Sequence, residues 1–183
     1  LKHRGVGAAG GRALFECLVH NQHIQTLDLE DNQLGLNVDI ERGELGPMCE
    51  ALARNAKVTC LDLSYNNFAA RGCEEIARAL EENGTVRELS LRGNNMGNAG
   101  AAALGGSLLK AFKSSCRVAK LDLSDNGVCE AGGVALAGLL ATPALPLKQA
   151  DLSWNSLRAG GTVAIAECLK TASLVRLNLS WNG

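Results

Sequence analysis

The sequence is short of aromatic residues and of proline. Phe, Trp and Tyr together make up 3% of its 183 residues, and only 3 prolines occur. A chain of this length can bury a sizeable core, and that core must be aliphatic. Neither sign of charge dominates, because 18 Lys and Arg face 19 Asp and Glu for a formal net charge of -1. Without an overall cationic field, electrostatic binding of nucleic acid is not expected. No apolar run reaches the ~18 residues that span a bilayer, and no membrane partner is expected. The opening LKHRGVGAAGG has no apolar signal-peptide stretch. The seven cysteines are odd in number and lack close pairs, which suits a reducing, cytoplasmic compartment better than a disulfide framework. The chain opens at Leu1 without Met and is expected to be part of something longer.

What the sequence does have is leucine, 30 of them, and a repeat that uses them. LDLEDNQL starts at Leu27, LDLSYNNF at Leu61, LSLRGNNM at Leu89, LDLSDNGV at Leu121, ADLSWNSL at Ala150 and LNLSWNG at Leu177. The asparagines of this L-x-L-x-x-N unit are Asn32, Asn66, Asn94, Asn126, Asn155 and Asn182, at intervals of 34, 28, 32, 29 and 27. Between them a second pattern recurs. Glycine follows six residues after the Asn, at Gly72, Gly100, Gly132 and Gly161. Apolar pairs four apart come next: Ile76 and Leu80, Leu104 and Leu108, Leu136 and Leu140, Ile165 and Leu169. Apolar residues spaced by four define a helical face. Gly10, Leu14 and Leu18 fit the same places, so residues 1–26 are expected to be the helical half of a repeat whose strand is missing. Each unit is a short strand, a turn, a helix and a return loop. It has one apolar side that it cannot bury alone, so the units stack, with parallel strands on a concave wall and helices outside. The Asn is expected to hydrogen-bond the backbone of neighbouring turns.

LDLSYNNFAARGCEEIARALEENGTVREL is one complete unit, and on it the chain resembles the leucine-rich-repeat proteins of the ribonuclease-inhibitor-like class. The resemblance covers essentially the whole chain. It implies a single right-handed α/β solenoid over residues 1–183, with repeats starting near 27, 61, 89, 121 and 150 and a partial one from 177. It also implies a protein that binds other proteins along its concave face and rims, without catalysis or cofactor. The class includes inhibitors, innate-immune sensors, a GTPase-activating protein and axonemal scaffolds.

Strand alternation sends the residues between the leucines onto the concave wall. The first outward position reads Asp28, Asp62, Ser90, Asp122, Asp151, Asn178. The second reads Glu30, Ser64, Arg92, Ser124, Ser153, Ser180, and the third Asp31, Tyr65, Gly93, Asp125, Trp154, Trp181. From these, the expected partner-binding residues are Asp28, Glu30, Asp62, Tyr65, Arg92, Asp122, Asp125, Asp151, Trp154 and Trp181. The wall reads as acidic with one Arg and ends in two adjacent tryptophans. It suits a protein partner with basic and apolar surface, since exposed Trp and Tyr are enriched at interface hot spots. The alternative is structural: the Asp residues serve local hydrogen bonds, and the Trp pair packs on a further repeat.

The two long intervals place extra residues near Gly35–Gly43, with Asp39, Glu41, Arg42 and Glu44 close by, and near Lys110–Arg117, with Lys110, Lys113 and Arg117 beside Phe112. These are expected as rim loops on opposite edges, and loops often carry function. If the protein instead regulates a GTPase, a rim arginine must supply the effect, and Arg42, Arg71, Arg92 and Arg158 are the candidates. A purely architectural place in a large assembly, such as an axonemal complex, is the third reading.

Other motifs fail on context. GVGAAG at Gly5, Gly7 and Gly10 lacks the preceding strand of a dinucleotide site. Cys17, His20 and His23 lack a fourth ligand, and Cys17 shares its repeat position with Ala79 and Cys168, which makes it a packing residue. Asn83-Gly84-Thr85 is a glycosylation sequon without a secretory context. No Walker or G-x-S-x-G motif occurs, and an open wall offers no water-excluding pocket to tune carboxylates.

Overall fold

The computed structural model describes residues 1–36, 38–39, 43–112 and 116–183. Helix and strand alternate along it: α1 (Gly7–Leu18), β1 (Thr26–Asp28), α2 (Gly46–Arg54), β2 (Cys60–Asp62), α3 (Ala69–Leu80), β3 (Glu88–Ser90), α4 (Gly97–Phe112), β4 (Lys120–Asp122), α5 (Glu130–Leu140), β5 (Gln149–Asp151), α6 (Arg158–Cys168) and β6 (Arg176–Asn178). The strands form one parallel sheet in chain order. Parallel neighbours need a crossover, and a helix supplies each one. The architecture is an α/β leucine-rich-repeat solenoid.

Register follows the repeat. Leu27, Leu61, Leu89, Leu121, Ala150 and Leu177 pair in one row across the sheet. The second leucines, Leu29, Leu63, Leu91, Leu123 and Leu152, are buried behind it, as are Leu34, Phe68, Met96, Val128 and Leu157 two residues after each Asn. Each such apolar side chain contributes about 1.5–3 kcal/mol by leaving water, so the layer between sheet and helices holds most of the stability. Leu177 and Leu179 are only half-buried because β6 is an edge strand.

The asparagines form a continuous polar ladder. Asn94 Oδ1 accepts the amides of Asn66 (2.9 Å) and Phe68 (3.4 Å), while its Nδ2 donates to the carbonyls of Leu63 (2.9 Å) and Leu91 (3.0 Å). Asn66 and Asn126 do the same one repeat earlier and later. Each bond satisfies a turn group that would otherwise cost about 1–3 kcal/mol when buried. A second, shorter ladder joins the return loops. Asn55 Nδ2 donates to the Leu18 carbonyl at 2.8 Å, and Asn83 Nδ2 to the Leu52 carbonyl at 2.6 Å. Asn83 is buried in this ladder, so the sequon residue has a structural task.

Four expectations change. Residues 1–26 are more than the helical half of a repeat whose strand is missing. Leu1 donates to the Asp28 carbonyl and His3 to the Glu30 carbonyl, both at 3.0 Å, so residues 1–4 lie beside β1 as the end of one more strand-turn unit. The extra residues after Leu108 do not all form a loop. Leu104, Leu108 and Ala111 keep the buried helical spacing, so α4 runs on to Phe112. Leu169 follows the last residue of α6 and is 47% exposed, not core. Cys17 is exposed, whereas Cys168 at the same repeat position is buried. Glu41, Arg42 and Lys113 lie outside the described residues. Across the Gly35–Gly43 insertion, the Asp39 amide donates to Glu44 Oε2 at 2.7 Å.

Candidate functional site

The concave wall is made of columns, each contributed once per repeat. In the first, Asp28, Asp62, Ser90, Asp122, Asp151 and Asn178 stand in register. These carboxylates have local work. Oδ1 of Asp62, Asp122 and Asp151 accepts the amide of the serine two residues on, at 2.9 Å in each case. The Ser124 and Ser153 hydroxyls donate to the same oxygens at 2.7 and 2.6 Å. Burial alone would raise the Asp151 carboxyl, but the Ser153 hydroxyl and amide and the Asn178 amide outweigh it and hold it below its ordinary value.

The second column departs from simple alternation. Ser64, Ser124 and Ser153 are buried under their aspartates, which leaves Glu30, Arg92 and Ser180 as its accessible members. Glu30 is not free. Lys2 reaches Glu30 at 2.5 Å and Asp28 at 3.2 Å, and these bonds, that to Glu30 foremost, hold its ammonium charged above the ordinary range. Asp28, Glu30 and Asp62 are the one group of three among the described residues whose ligand atoms could gather on a cation. Lys2 already neutralises two of them. Cys17, His20 and His23 form no such group.

The third column carries the clearest physical signal. Asp31, Tyr65, Gly93, Asp125, Trp154 and Trp181 all have positive φ, between 52 and 66°. His3 belongs to the same column at 52°, a role its sequence did not suggest, and its Nδ1 lies 2.9 Å from Asp31. The left-handed region suits Gly, Asn and Asp and is unusual for a bulky side chain. Three aromatic residues therefore occupy places where the turn favours something smaller.

Those three are used differently. The Tyr65 ring lies across Gly93, where a Cβ would meet it at 2.3 Å. Its hydroxyl donates to Asp125 at 3.3 Å, and the Arg92 guanidinium sits 5.6 Å from its ring centroid. Tyr65, Arg92 and Asp125 thus tie together three consecutive repeats. Trp154 and Trp181 stack on each other, with centroids 4.8 Å apart and rings 15° from parallel, yet they stay 53% and 69% exposed.

The first strand residues supply a column that the sequence reading left out: Thr26, Cys60, Glu88, Lys120, Gln149 and Arg176. Alternation places it on the same face as the first aspartate column, two residues earlier. It was missed because the motif was read from its first leucine onward. Lys120 pairs with Glu88 at 3.3 Å. The wall is thus acidic along only part of its width. Of the arginine candidates, Arg71 lies on α3, Arg158 opens α6 and Arg92 is engaged with Tyr65, so these three do not gather at one place.

All seven cysteines are free thiols, and burial pushes Cys49 up to about 11 and Cys73 up to about 12, where each stays protonated and inert. Among the described residues, no helix is long and apolar enough to cross a membrane.

Stacked strand-and-helix units on an asparagine ladder define a leucine-rich-repeat protein. The family profile described as Leucine Rich repeat matches residues 20–37, 54–77 and 82–105. A ribonuclease inhibitor of Sus scrofa is 33% identical over 147 residues, which is 79% of this chain and 29% of that protein. NACHT, LRR and PYD domains-containing protein 9C of Mus musculus is 31% identical over 160 residues, 85% of this chain and 15% of that one. The chain thus spans under a third of either relative. The solved structure of Leiomodin-1 Actin-Binding Site 2 shares the fold, with a TM-score of 0.61 at 19% identity over 76% of this chain and 80% of that one. The chain belongs to the leucine-rich-repeat family, in its ribonuclease-inhibitor-like class, and domains of that family mediate protein–protein interaction.

Proposed function

We propose that the chain is a non-catalytic, cytoplasmic interaction scaffold whose concave wall and rim loops bind a protein partner with basic and apolar surface. The stacked, exposed Trp154–Trp181 pair carries this reading. Two large, largely exposed side chains are held in left-handed backbone where the turn favours Gly, Asn or Asp, and strain of this kind is a pointer to function. Asp125 precedes Trp154 in the same column and Asp151 lies in the first column of the Trp154 repeat, so both bring negative charge to this end of the wall. A partner lysine or arginine over the outer Trp181 face gains a cation–π contact together with a carboxylate. An apolar anchor gains the area of both rings.

The test is a paired pull-down from cytosolic extract with the native chain and a Trp154→Ala, Trp181→Ala variant, read by mass spectrometry and followed by direct titration of the partner found. A partner that binds the native chain and weakens by ~30-fold or more with the variant supports the wall, because paired hot-spot side chains contribute about 2 kcal/mol or more. Equal recovery by both proteins removes the tryptophans from the interface.

A further inference from the structure

We infer that the edge of the wall where the strands begin is a second docking strip, built for an extended acidic segment of a protein partner. It adds a surface to the reading above and does not depend on the tryptophans. The observation is a segregation of charge across the width of the sheet. Where the strands end stand Asp28, Asp62, Asp122, Asp125 and Asp151. Where they begin stand Arg87, Arg117, Lys120, Lys148 and Arg176, all exposed.

Backbone pairing places four of these cations in two neighbouring rows along one edge, and Arg117 precedes β4 by three residues. The Ala119 and Lys120 amides donate to the Arg87 carbonyl at 2.8 and 3.0 Å, which sets Arg87 beside the start of β4. The Val175 and Arg176 amides donate to the Lys148 carbonyl at 2.8 and 3.0 Å, which sets Lys148 beside the start of β6. Lys120 and Arg176 share a register row through Gln149. The strip crosses four repeats, or three strand spacings, about 14 Å. Its cations are largely uncommitted. Lys120 has Glu88 at 3.3 Å and Lys148 reaches the Ser173 carbonyl at 3.4 Å, but Arg87, Arg117 and Arg176 have no ion-pair partner among the described residues.

Three guanidinium groups without ion-pair partners near one edge of the sheet can match carboxylates by two-pronged hydrogen bonding, which lysine cannot reproduce. A shallow depression of about 130 Å³ lies between the strips, with Lys120 and Arg176 on one side and Asp122 and Asp151 on the other. The dimensions select the occupant. The strip is about three residues wide, or about 10 Å, and the aspartate column starts two residues further on. An extended peptide fits that width. A nucleic-acid duplex laid on the same cations overlaps the aspartates and is repelled. Two parallel strips of opposite sign also fix the orientation of any partner lying along the wall, because reversing it sets like charges together.

The probe is a fluorescein-labelled peptide of alternating glutamate and aspartate, titrated against the whole chain by anisotropy. Expected are binding that weakens with added NaCl and a loss of at least about tenfold in the Arg87→Gln, Arg117→Gln, Arg176→Gln variant. A matching triple Lys variant should recover only part of it, and circular dichroism checks the fold of each. The Trp154→Ala, Trp181→Ala protein should bind the peptide as the native chain does, which separates this strip from the anchor proposed above. Unchanged affinity in the Gln variant, equal loss in the Trp variant, or tighter capture of a DNA duplex of equal charge overturns the inference.

Discussion

Tyr65 and the Trp154–Trp181 pair sit in the same column, on the same turn, in the same unusual backbone conformation, yet the molecule uses them in opposite ways. Tyr65 is drawn down onto the wall, with Gly93 beneath it, Asp125 on its hydroxyl and Arg92 over its ring. The tryptophans stack face to face on each other and remain more than half exposed. An aromatic residue at one repeat position therefore has no fixed role. What decides is the residue one repeat further along. Gly93 leaves room for the Tyr65 ring to lie flat, whereas Trp154 is followed by another large ring that stacks on it.

The hardest blow to this contrast is Gly93→Ala. A Cβ at a φ of +66° carries left-handed strain and meets the Tyr65 ring at 2.3 Å, so we expect about 2–3 kcal/mol of lost stability by urea unfolding. A loss under about 0.5 kcal/mol would show that Tyr65 swings free and is as available as the tryptophans. Next comes Tyr65→Phe, which removes the bond to Asp125 and should cost about 0.5–1.5 kcal/mol in the same assay. Trp154→Asn places a residue that tolerates the turn and should leave stability within about 0.5 kcal/mol while partner recovery falls. Equal and large losses for Tyr65→Phe and Trp154→Asn would erase the distinction.

The smallest expected effect is with pH. The Asp151 carboxyl is held below its ordinary value of 3.8, so its folded-state bonds contribute fully above that value. They are lost as pH falls through the depressed one. Native chain and Asp151→Asn should therefore differ more in melting temperature at neutral pH than at pH ~2.5, with the native chain the more stable at neutral pH. A difference independent of pH would mean that the Asp151 turn does not sense ionisation.

Much of this was legible in the residues, for identifiable reasons. Six returns of L-x-L-x-x-N specify strand, turn and buried amide together, because each leucine needs a core and each Asn needs backbone partners to be tolerated inside. Apolar pairs four apart specify the helices in the same way. Lys120 and Arg176 were harder to see, since they precede the motif and nothing in a single repeat marks them as a column. The buried Ser64, Ser124 and Ser153 break simple alternation because the chain has already begun to turn beneath the aspartates. His3 gains meaning only once residues 1–4 are laid beside β1.

By itself the sequence determined the repeating unit, its stacking into an α/β solenoid and the set of side chains on offer to the concave wall. These follow from local periodicity and from burial that each unit requires. Only the tertiary structure decided which of those side chains remain available. Stacking at a spacing of about 4.8 Å brings residues some 30 positions apart into contact. It lays Tyr65 across Gly93, pairs Lys2 with Glu30, exposes the tryptophan stack and lines up a cationic edge against an acidic one. Availability is a property of neighbouring repeats, and neighbours are set by the stack.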